Sequence, residues 1–405
     1  MIHFFRCHFL TFLFLLIVFF DQIFVCSLIL SGTEVTKGIK QYEAIFFSVL
    51  VFAAIFFNLM NGKLMKNDLR SIFVVSVLIL LYYLTHFFYG PPPDGYMSQL
   101  LVMGSECLPA AYVGSRIAKK GLNNLFYYFS IIIIFTTILL STIGLKYATV
   151  NELVTGDDSG LNYQTMSYFM AFSFSYCLYL LFFHKLDSCF YYKFIRISLV
   201  ICSLICFVFC ILSGGRGGLY FMLAFSLFFL MICIKHKIIT ARVFILISFA
   251  AFGAILCLIY YFDALNSSGL DRVFSRFANF DTRSELYDMA INAFYDSPIY
   301  GNGLGSVWWT VGYYSHNIFL DILSETGLIG FLVFSLIAIK TIKILIASSY
   351  NNKLSILFLI ILLGSLFRGL VSGYWLGTMN IFMCCSYAFG LSRRRFESVK
   401  VDGLS

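Results

Sequence analysis

Residues 197–212 read ISLVICSLICFVFCIL and residues 219–235 read LYFMLAFSLFFLMICIK, joined only by Ser213–Gly218, SGGRGG. A helix needs about 20 apolar residues to cross the hydrocarbon of a bilayer. In that medium the backbone must bond to itself, which leaves helices or closed barrels. A barrel strand alternates apolar and polar side chains; these runs do not alternate, so they predict helices. The pattern recurs along all 405 residues. Candidate spans lie near 8–30, 44–60, 72–89, 97–114, 125–145, 164–183, 197–212, 219–234, 243–262, 326–346, 354–372 and 374–392. Composition agrees: 12% of residues are charged, against ~25% in soluble domains. The expected class is an all-α polytopic membrane protein of about twelve spans.

Charge sets the expected orientation. Alternate loops are basic: Lys63, Lys66 and Arg70; Arg116, Lys119 and Lys120; Lys185, Lys193 and Arg196; Lys235, Lys237 and Arg242; Lys340, Lys343 and Lys353. With Arg6 and the tail residues Arg393, Arg394, Arg395 and Lys400, 20 of the 28 basic residues fall on one side. The positive-inside rule puts that side, and both termini, in the cytoplasm. The net charge of +8 is therefore a topology signal, and no nucleic-acid partner is expected. The N-terminus has an arginine before an apolar core but lacks a small-x-small cleavage site, so it is expected to be an uncleaved first span. The cysteines sit mostly inside apolar runs without a Cys-x-x-Cys pair; they are expected to be small apolar helix residues, not metal ligands or disulfides.

Most loops are short, but residues 263–317 join two spans on the outer side. Long structured loops on one face of a bundle are usually functional. The expected organisation is spans 1–9 over residues 1–262, the outer loop and its motifs over 263–325, and spans 10–12 with a basic tail over 326–405. Four outer features carry candidate chemistry. Arg216 stands between two glycine pairs; glycine permits close backbone approach, and arginine offers a planar fork for phosphate. The competing reading is a tight turn with one interfacial arginine. After Asp281 an amphipathic helical pattern begins, with Thr282 as an expected cap and Glu285 completing a capping box. Arg283 would occupy its first turn, where the dipole disfavours a cation. The third feature, "SHNIFLDILSETGLIGF", begins at Ser315, an expected N-cap. A helix from there aligns Asn317, Asp321, Ser324 and Glu325 on one polar stripe, with His316 at its mouth and Gly327 and Gly330 as a small-residue packing patch. The last is the acidic loop with Asp157 and Asp158, read first as a solvated turn. Beside it, Asn162, Tyr163 and Gln164 are candidates for sugar contact. Trp308, Trp309, Tyr313 and Tyr314 suit either an interface belt or stacking on a sugar ring.

The stretch from His316 resembles the signature of bacterial O-antigen ligases and O-antigen polymerases: His, then Asn, Ser or Gln, nine residues, then Gly-x-x-Gly. His316, Asn317, Gly327 and Gly330 fit it without a gap. "SGGRGGL" is similar to the family's arginine-bearing turn, at Arg216, and "DTRSELYDMA" to the segment carrying a second arginine, at Arg283. The resemblance implies a GT-C-like fold with one long periplasmic loop, in the bacterial inner membrane. It implies an inverting, metal-independent glycosyltransferase without cofactor, whose donor and acceptor are glycans on undecaprenyl pyrophosphate. His316, Arg216 and Arg283 would then be catalytic; Asn317, Asp321, Glu325, Arg276 and Tyr163 would bind substrate. Asp321 and Glu325 are also candidates to orient His316, whose ordinary pKa is ~6.5. "GLNYQTMSY" is closer to polymerases, so polymerase is expected ahead of ligase, with a chain-length regulator and a flippase as partners beside membrane lipids. A lipid-linked oligosaccharide flippase is the alternative of another class. Transporters place ionisable pairs at the midplane and repeat internally; few charges lie in these spans, chiefly Asp21 and Glu106, and no repeat is visible.

Overall fold

A computed structural model describes residues 2–30, 66–89, 103–122, 124–148, 163–183, 190–213, 215–235, 281–312, 314–371 and 373–402, with Val49, Phe52, Ala53 and Phe56. The expected spans at 44–60 and 243–262, the loop segment 263–280 and the acidic loop 149–162 lie outside the described residues, those four positions aside. The described residues are all-helical, without strands. In order they form α1 (Ile2–Leu30), α2 (Lys66–Tyr89), a π turn (Met103–Cys107), α3 (Leu108–Lys120), α4 (Leu125–Ala148), α5 (Tyr163–Phe183), α6 (Phe190–Leu212) and α7 (Arg216–Lys235). Then follow α8 (Asp281–Asp296), α9 (Val307–Thr310), α10 (Ile318–Ser349), α11 (Leu354–Val371), a 3-10 turn (Trp375–Gly377) and α12 (Met379–Asp402). Seven described helices are long and apolar enough to cross a membrane, and Phe9–Phe19 and Met379–Ser392 are shorter apolar helices. This is a polytopic membrane protein.

The chain divides into two compact units. The second, Asp21–Thr36 with Phe126–Phe280, holds α4 to α7. Here α5 is largely buried, and its N-terminal turn meets the start of α7. Ser167 Oγ donates to Gly215 O at 2.7 Å. A Cβ on Gly217 would collide with the Tyr168 ring, and one on Gly218 with Ser167. Helices approach this closely only where side chains are missing. The glycines after Arg216 therefore serve helix–helix contact, whereas the sequence suggested approach to a ligand. The described cysteines are all free, and all but Cys385 are buried.

The first unit is Met1–Phe20, Lys37–Leu125 and Asp281–Ser405. Its centre is α11, buried along most of Ser355–Ser365; a helix apolar all round belongs inside protein. Phe358 stacks on Tyr387 of α12 at 3.8 Å between centroids and packs against Phe14 of α1 at 5.7 Å. Asn352 Oδ1 accepts from Leu354 N at 3.0 Å and starts α11. The expected span at 97–114 is corrected here: the helix runs Leu108–Lys120, with Pro109 in its first turn, where a missing N–H costs nothing. Arg116, Lys119 and Lys120 thus belong to α3's last turns, not to a loop, and Arg116 is buried. Gly114 lies backbone to backbone against Met383, so α3 packs on α12 through a small residue. The span expected from 374 begins at Met379, because Tyr374 is extended (φ −107°, ψ 133°) and a 3-10 turn intervenes.

The segment between α7 and α10 contains α8, ended before Ser297-Pro298, and the short α9. Helix α10 starts at Ile318, eight residues before the expected 326, and is broken at Gly327 (φ 61°, ψ −165°). The break frees backbone groups, and the turn Pro298–Gly303 takes them up. Leu328 N donates to Pro298 O at 2.9 Å and Ile329 N to Ile299 O at 3.3 Å. In return Asn302 N donates to Ser324 O at 3.0 Å and Gly303 N to Glu325 O at 2.8 Å. Such exchange is required, since an orphaned buried amide costs about as much as a lost hydrogen bond. Gly301 and Gly327 touch through their backbones, and a Cβ on either would enter the other's chain. Gly327 is thus a break point, not the packing patch its spacing suggested. Alanine at Gly327 or Gly301 should lower stability by roughly 1–3 kcal/mol or more, from strain plus clash. Alanine at Gly121, also left-handed but open (φ 70°, nothing within 4 Å), should cost only about 1 kcal/mol. Thermal unfolding of the three variants in detergent checks the ranking.

Candidate functional site

The turn before α10 is built around one backbone conformation. His316 has φ 62°, a region L-residues other than Asn, Asp and His seldom enter. Asn317 is extended (φ −137°, ψ 107°) and is the N-cap: its Oδ1 accepts from Phe319 N at 3.0 Å and Leu320 N at 3.4 Å. Ser315, the expected cap, instead bonds within the turn. Its hydroxyl accepts from Asn317 N at 3.2 Å and reaches Asn317 O at 3.1 Å. The cap lies one residue after the histidine, so His316 projects from the turn and stays half-buried.

The polar stripe exists, but it faces protein. Asp321, Ser324 and Glu325 are each 0% exposed. Asp321 Oδ1 accepts from Ser315 N at 2.8 Å, with the Ser315 hydroxyl a second partner of that carboxyl group. Glu325 is gripped on both oxygens: Tyr374 Oη donates to Oε1 at 2.7 Å and Trp375 Nε1 to Oε2 at 2.9 Å. The Gly305 backbone adds another hydrogen bond. A buried carboxyl group persists only when such donors replace water. Both carboxyl groups are thus held by donors of the protein itself, and the Asn317 side-chain oxygen caps α10. Asn302 Nδ2 adds bonds to Ala293 O at 2.7 Å and Ser324 O at 3.0 Å, tying α8 to α10.

Helix α8 begins at Asp281, so Thr282 lies within its first turn and not ahead of it. Arg283 Nη1 donates to Val371 O at 2.6 Å. That carbonyl ends α11, where the helix dipole is negative and holds a cation well. The guanidinium also bears on His316. Burial, and then the Arg283 charge, lower the His316 pKa from 6.5 to about 4; both effects oppose an imidazolium. The ordinary value expected from sequence is corrected accordingly, and the ring is neutral at pH 7. Aromatic rings line the same place: Tyr314 lies 4.5 Å from the His316 ring, 5.8 Å from Trp308 and 6.3 Å from Tyr374. Trp309 packs at 4.1 Å on His86 of α2. Gly305 and Gly303, both at positive φ, fit against Tyr82, His86 and Thr85 of α2 with no room for a Cβ.

The first unit therefore brings together His316, Arg283, Asn317, Asp321 and Glu325. Arg216 opens α7 and Tyr163 opens α5, both in the second unit; Arg276 lies outside the described residues. Sequence reasoning missed Tyr374 and Trp375, the glycine turn at 301–305 and Val371. The alternate-glycine spelling of GNGLGS was a usable signal for a strained turn. A backbone carbonyl such as Val371 O leaves no mark in sequence.

Residues 201–335, about a third of the chain, match the family model described as O-antigen ligase. The match runs from α6 through the His316 turn to the middle of α10, and so contains Arg216, Arg276, Arg283 and His316. It supports the superfamily of O-antigen polymerases and ligases, a glycosyltransferase-like class of enzymes acting on lipid-linked glycans in membranes. The comparison with curated proteins finds no match.

The charge on Arg283 yields a pH test. If neutral His316 is the working form, activity falls as pH drops through its pKa, and kcat/KM reports the free enzyme. The acid limb should lie near 4, well below the ordinary histidine range. Arg283→Gln removes one of the two depressing influences, so its limb should move upward, short of 6.5 because burial remains. The kcat/KM–pH profiles of both proteins are the measurement. An unmoved limb would detach Arg283 from the histidine.

Proposed function

We propose that the chain is an O-antigen polymerase, joining repeat units carried on undecaprenyl pyrophosphate at the periplasmic face of the inner membrane. The observation that carries this reading is the His316 turn: a strained, half-buried, neutral histidine at the mouth of a membrane helix, beside Arg283 and inside the matched region. The donor's lipid stays in the bilayer while its pyrophosphate and glycan sit at the surface. The reacting carbon must then lie near the water boundary, at the depth where a capped membrane helix holds its first residues.

In the proposed reaction the acceptor hydroxyl attacks the donor's anomeric carbon from the face opposite the phosphate. The new C–O bond forms as the bond to the pyrophosphate oxygen breaks, with inversion. The hydroxyl proton passes to His316, and the lipid pyrophosphate leaves with the bonding electron pair. A pKa of about 4 makes His316 a weak base in the free protein, but a neutral imidazole is the form able to accept. An arriving pyrophosphate places negative charge beside it and raises its basicity. Arg283 would offset charge developing on the leaving oxygens, where a preorganised cation favours the transition state. The basic asymmetry of the loops supports cytoplasmic termini, with this chemistry outside.

Ligase activity, passing polymer to lipid A–core, is the second reading, favoured by the description of the matched family. The choice of polymerase rests on the "GLNYQTMSY" segment. The lipopolysaccharide pattern of a deletion strain separates the two. Loss of a polymerase leaves a single repeat on core, the expected result. Bare core with lipid-linked polymer accumulating would assign the ligase.

A further inference from the structure

His316 adopts a left-handed backbone conformation (φ 62°) that few non-glycine residues enter even though histidine is among the more tolerant, and such a conformation persists where surrounding structure over-determines it. The structure identifies what does so. Asp321 is bonded to both flanks of the histidine. Its main-chain N–H donates to Asn317 O at 3.0 Å, on the C-terminal side. Its side-chain Oδ1 accepts from Ser315 N at 2.8 Å, on the N-terminal side. The Ser315 hydroxyl closes the ring by bonding Asn317 N and O. Residues 315 and 317 are thus fixed to one buried helical residue, and the residue between them bulges into the left-handed region (φ 62°).

We propose that Asp321 is a positioning residue: through Ser315 it holds His316 in this conformation, and so sets the depth and direction of the imidazole. The inference rests on the reading of His316 as the proton acceptor. Its action is geometric, not electrostatic. The influences on the histidine are burial and the Arg283 charge, and Asp321 is not among them. Of its two side-chain oxygens, Oδ2 accepts no hydrogen bond among the described residues. Oδ1 alone therefore carries the Ser315 amide, and an asparagine oxygen can do the same. Leucine, of similar size, cannot.

Two variants and two readouts test this in detergent-solubilised full-length protein. The first readout is the titration of His316 by NMR on 15N-histidine-labelled protein, with His316→Gln assigning the signal. Removing a neighbouring carboxylate lowers a histidine pKa if charge is all that changes, whereas release from a buried pocket raises it. Asp321→Leu should therefore move the His316 pKa upward from about 4, a direction opposite to lost charge. Asp321→Asn should leave it near the wild-type value. The second readout is single-turnover transfer from undecaprenyl-pyrophosphate-linked repeat units extracted from the deletion strain. Asp321→Leu should lose on the order of 10–100-fold, the scale of a misplaced catalytic group, with membrane level unchanged. Asp321→Asn should recover to within about threefold. Equal loss in both variants, or a His316 pKa that stays or falls in Asp321→Leu, overturns the proposal. If Asp321→Leu does not insert, Asp321→Ala carries the test: it also removes the oxygen that accepts from Ser315 N, and an unmoved His316 titration there overturns the proposal equally. A titration that shifts as stated in a protein with no transfer at all would retain the positioning role and reject glycosyl transfer.

Discussion

The backbone contact between Gly301 and Gly327 is the constraint on which the rest of the site depends. A membrane helix would ordinarily run unbroken from the histidine inward, leaving its carboxylates facing lipid or solvent. Breaking α10 at Gly327 frees the carbonyls of Ser324 and Glu325 and the amides of Leu328 and Ile329, and the Pro298–Gly303 turn satisfies all four. Only residues without a Cβ let two chains meet so closely. Once the turn is seated, Gly305 reaches Glu325, and Tyr374 and Trp375 close over it from before α12. One short turn thus ties α8, α10 and the approach to α12 into a single frame.

Within that frame the electrostatics are arranged against a charged histidine. Arg283 is anchored on the carbonyl end of α11, so its position is set by a largely buried helix of the unit. From there its charge bears on a half-buried ring, and His316 rests neutral. An anionic group arriving between them would reverse the balance: the arginine would be neutralised and the imidazole made more basic. The same cation that lowers the basicity of His316 would then help to hold that anion.

Much of this was legible in the sequence, for physical reasons. Apolar runs of membrane length leave little choice but helices, so α4, α5, α7 and α11 could be placed within about three residues, whereas α2, α6 and α10 begin six to eight residues before their apolar runs. His316 and the i, i+4 spacing of Asp321 and Glu325 were visible as a stripe, because helical periodicity is local information. What the stripe faced was not local. Tyr374 and Trp375 lie some fifty residues from Glu325, and nothing near Glu325 announces them. The cap moved from Ser315 to Asn317 because the Ser315 hydroxyl bonds the Asn317 main chain within the turn instead. Helix α3 was misread because its basic last turns look like a loop, when Arg116 is in fact buried. The glycines beside Arg216 suggested ligand approach, but the neighbour they approach is α5. In each case a long-range contact reassigned residues whose types had been read correctly.

The central claim is that His316 accepts the proton of the acceptor hydroxyl while the lipid and arginine contacts hold the donor. Single-turnover transfer by purified His316→Ala protein, run beside a donor-binding assay, tests it most directly. The account predicts transfer reduced by about 10²–10⁴-fold, with donor binding retained. Transfer at the wild-type rate would remove His316 from the chemistry, and loss of binding in step with transfer would make it a donor-binding residue instead.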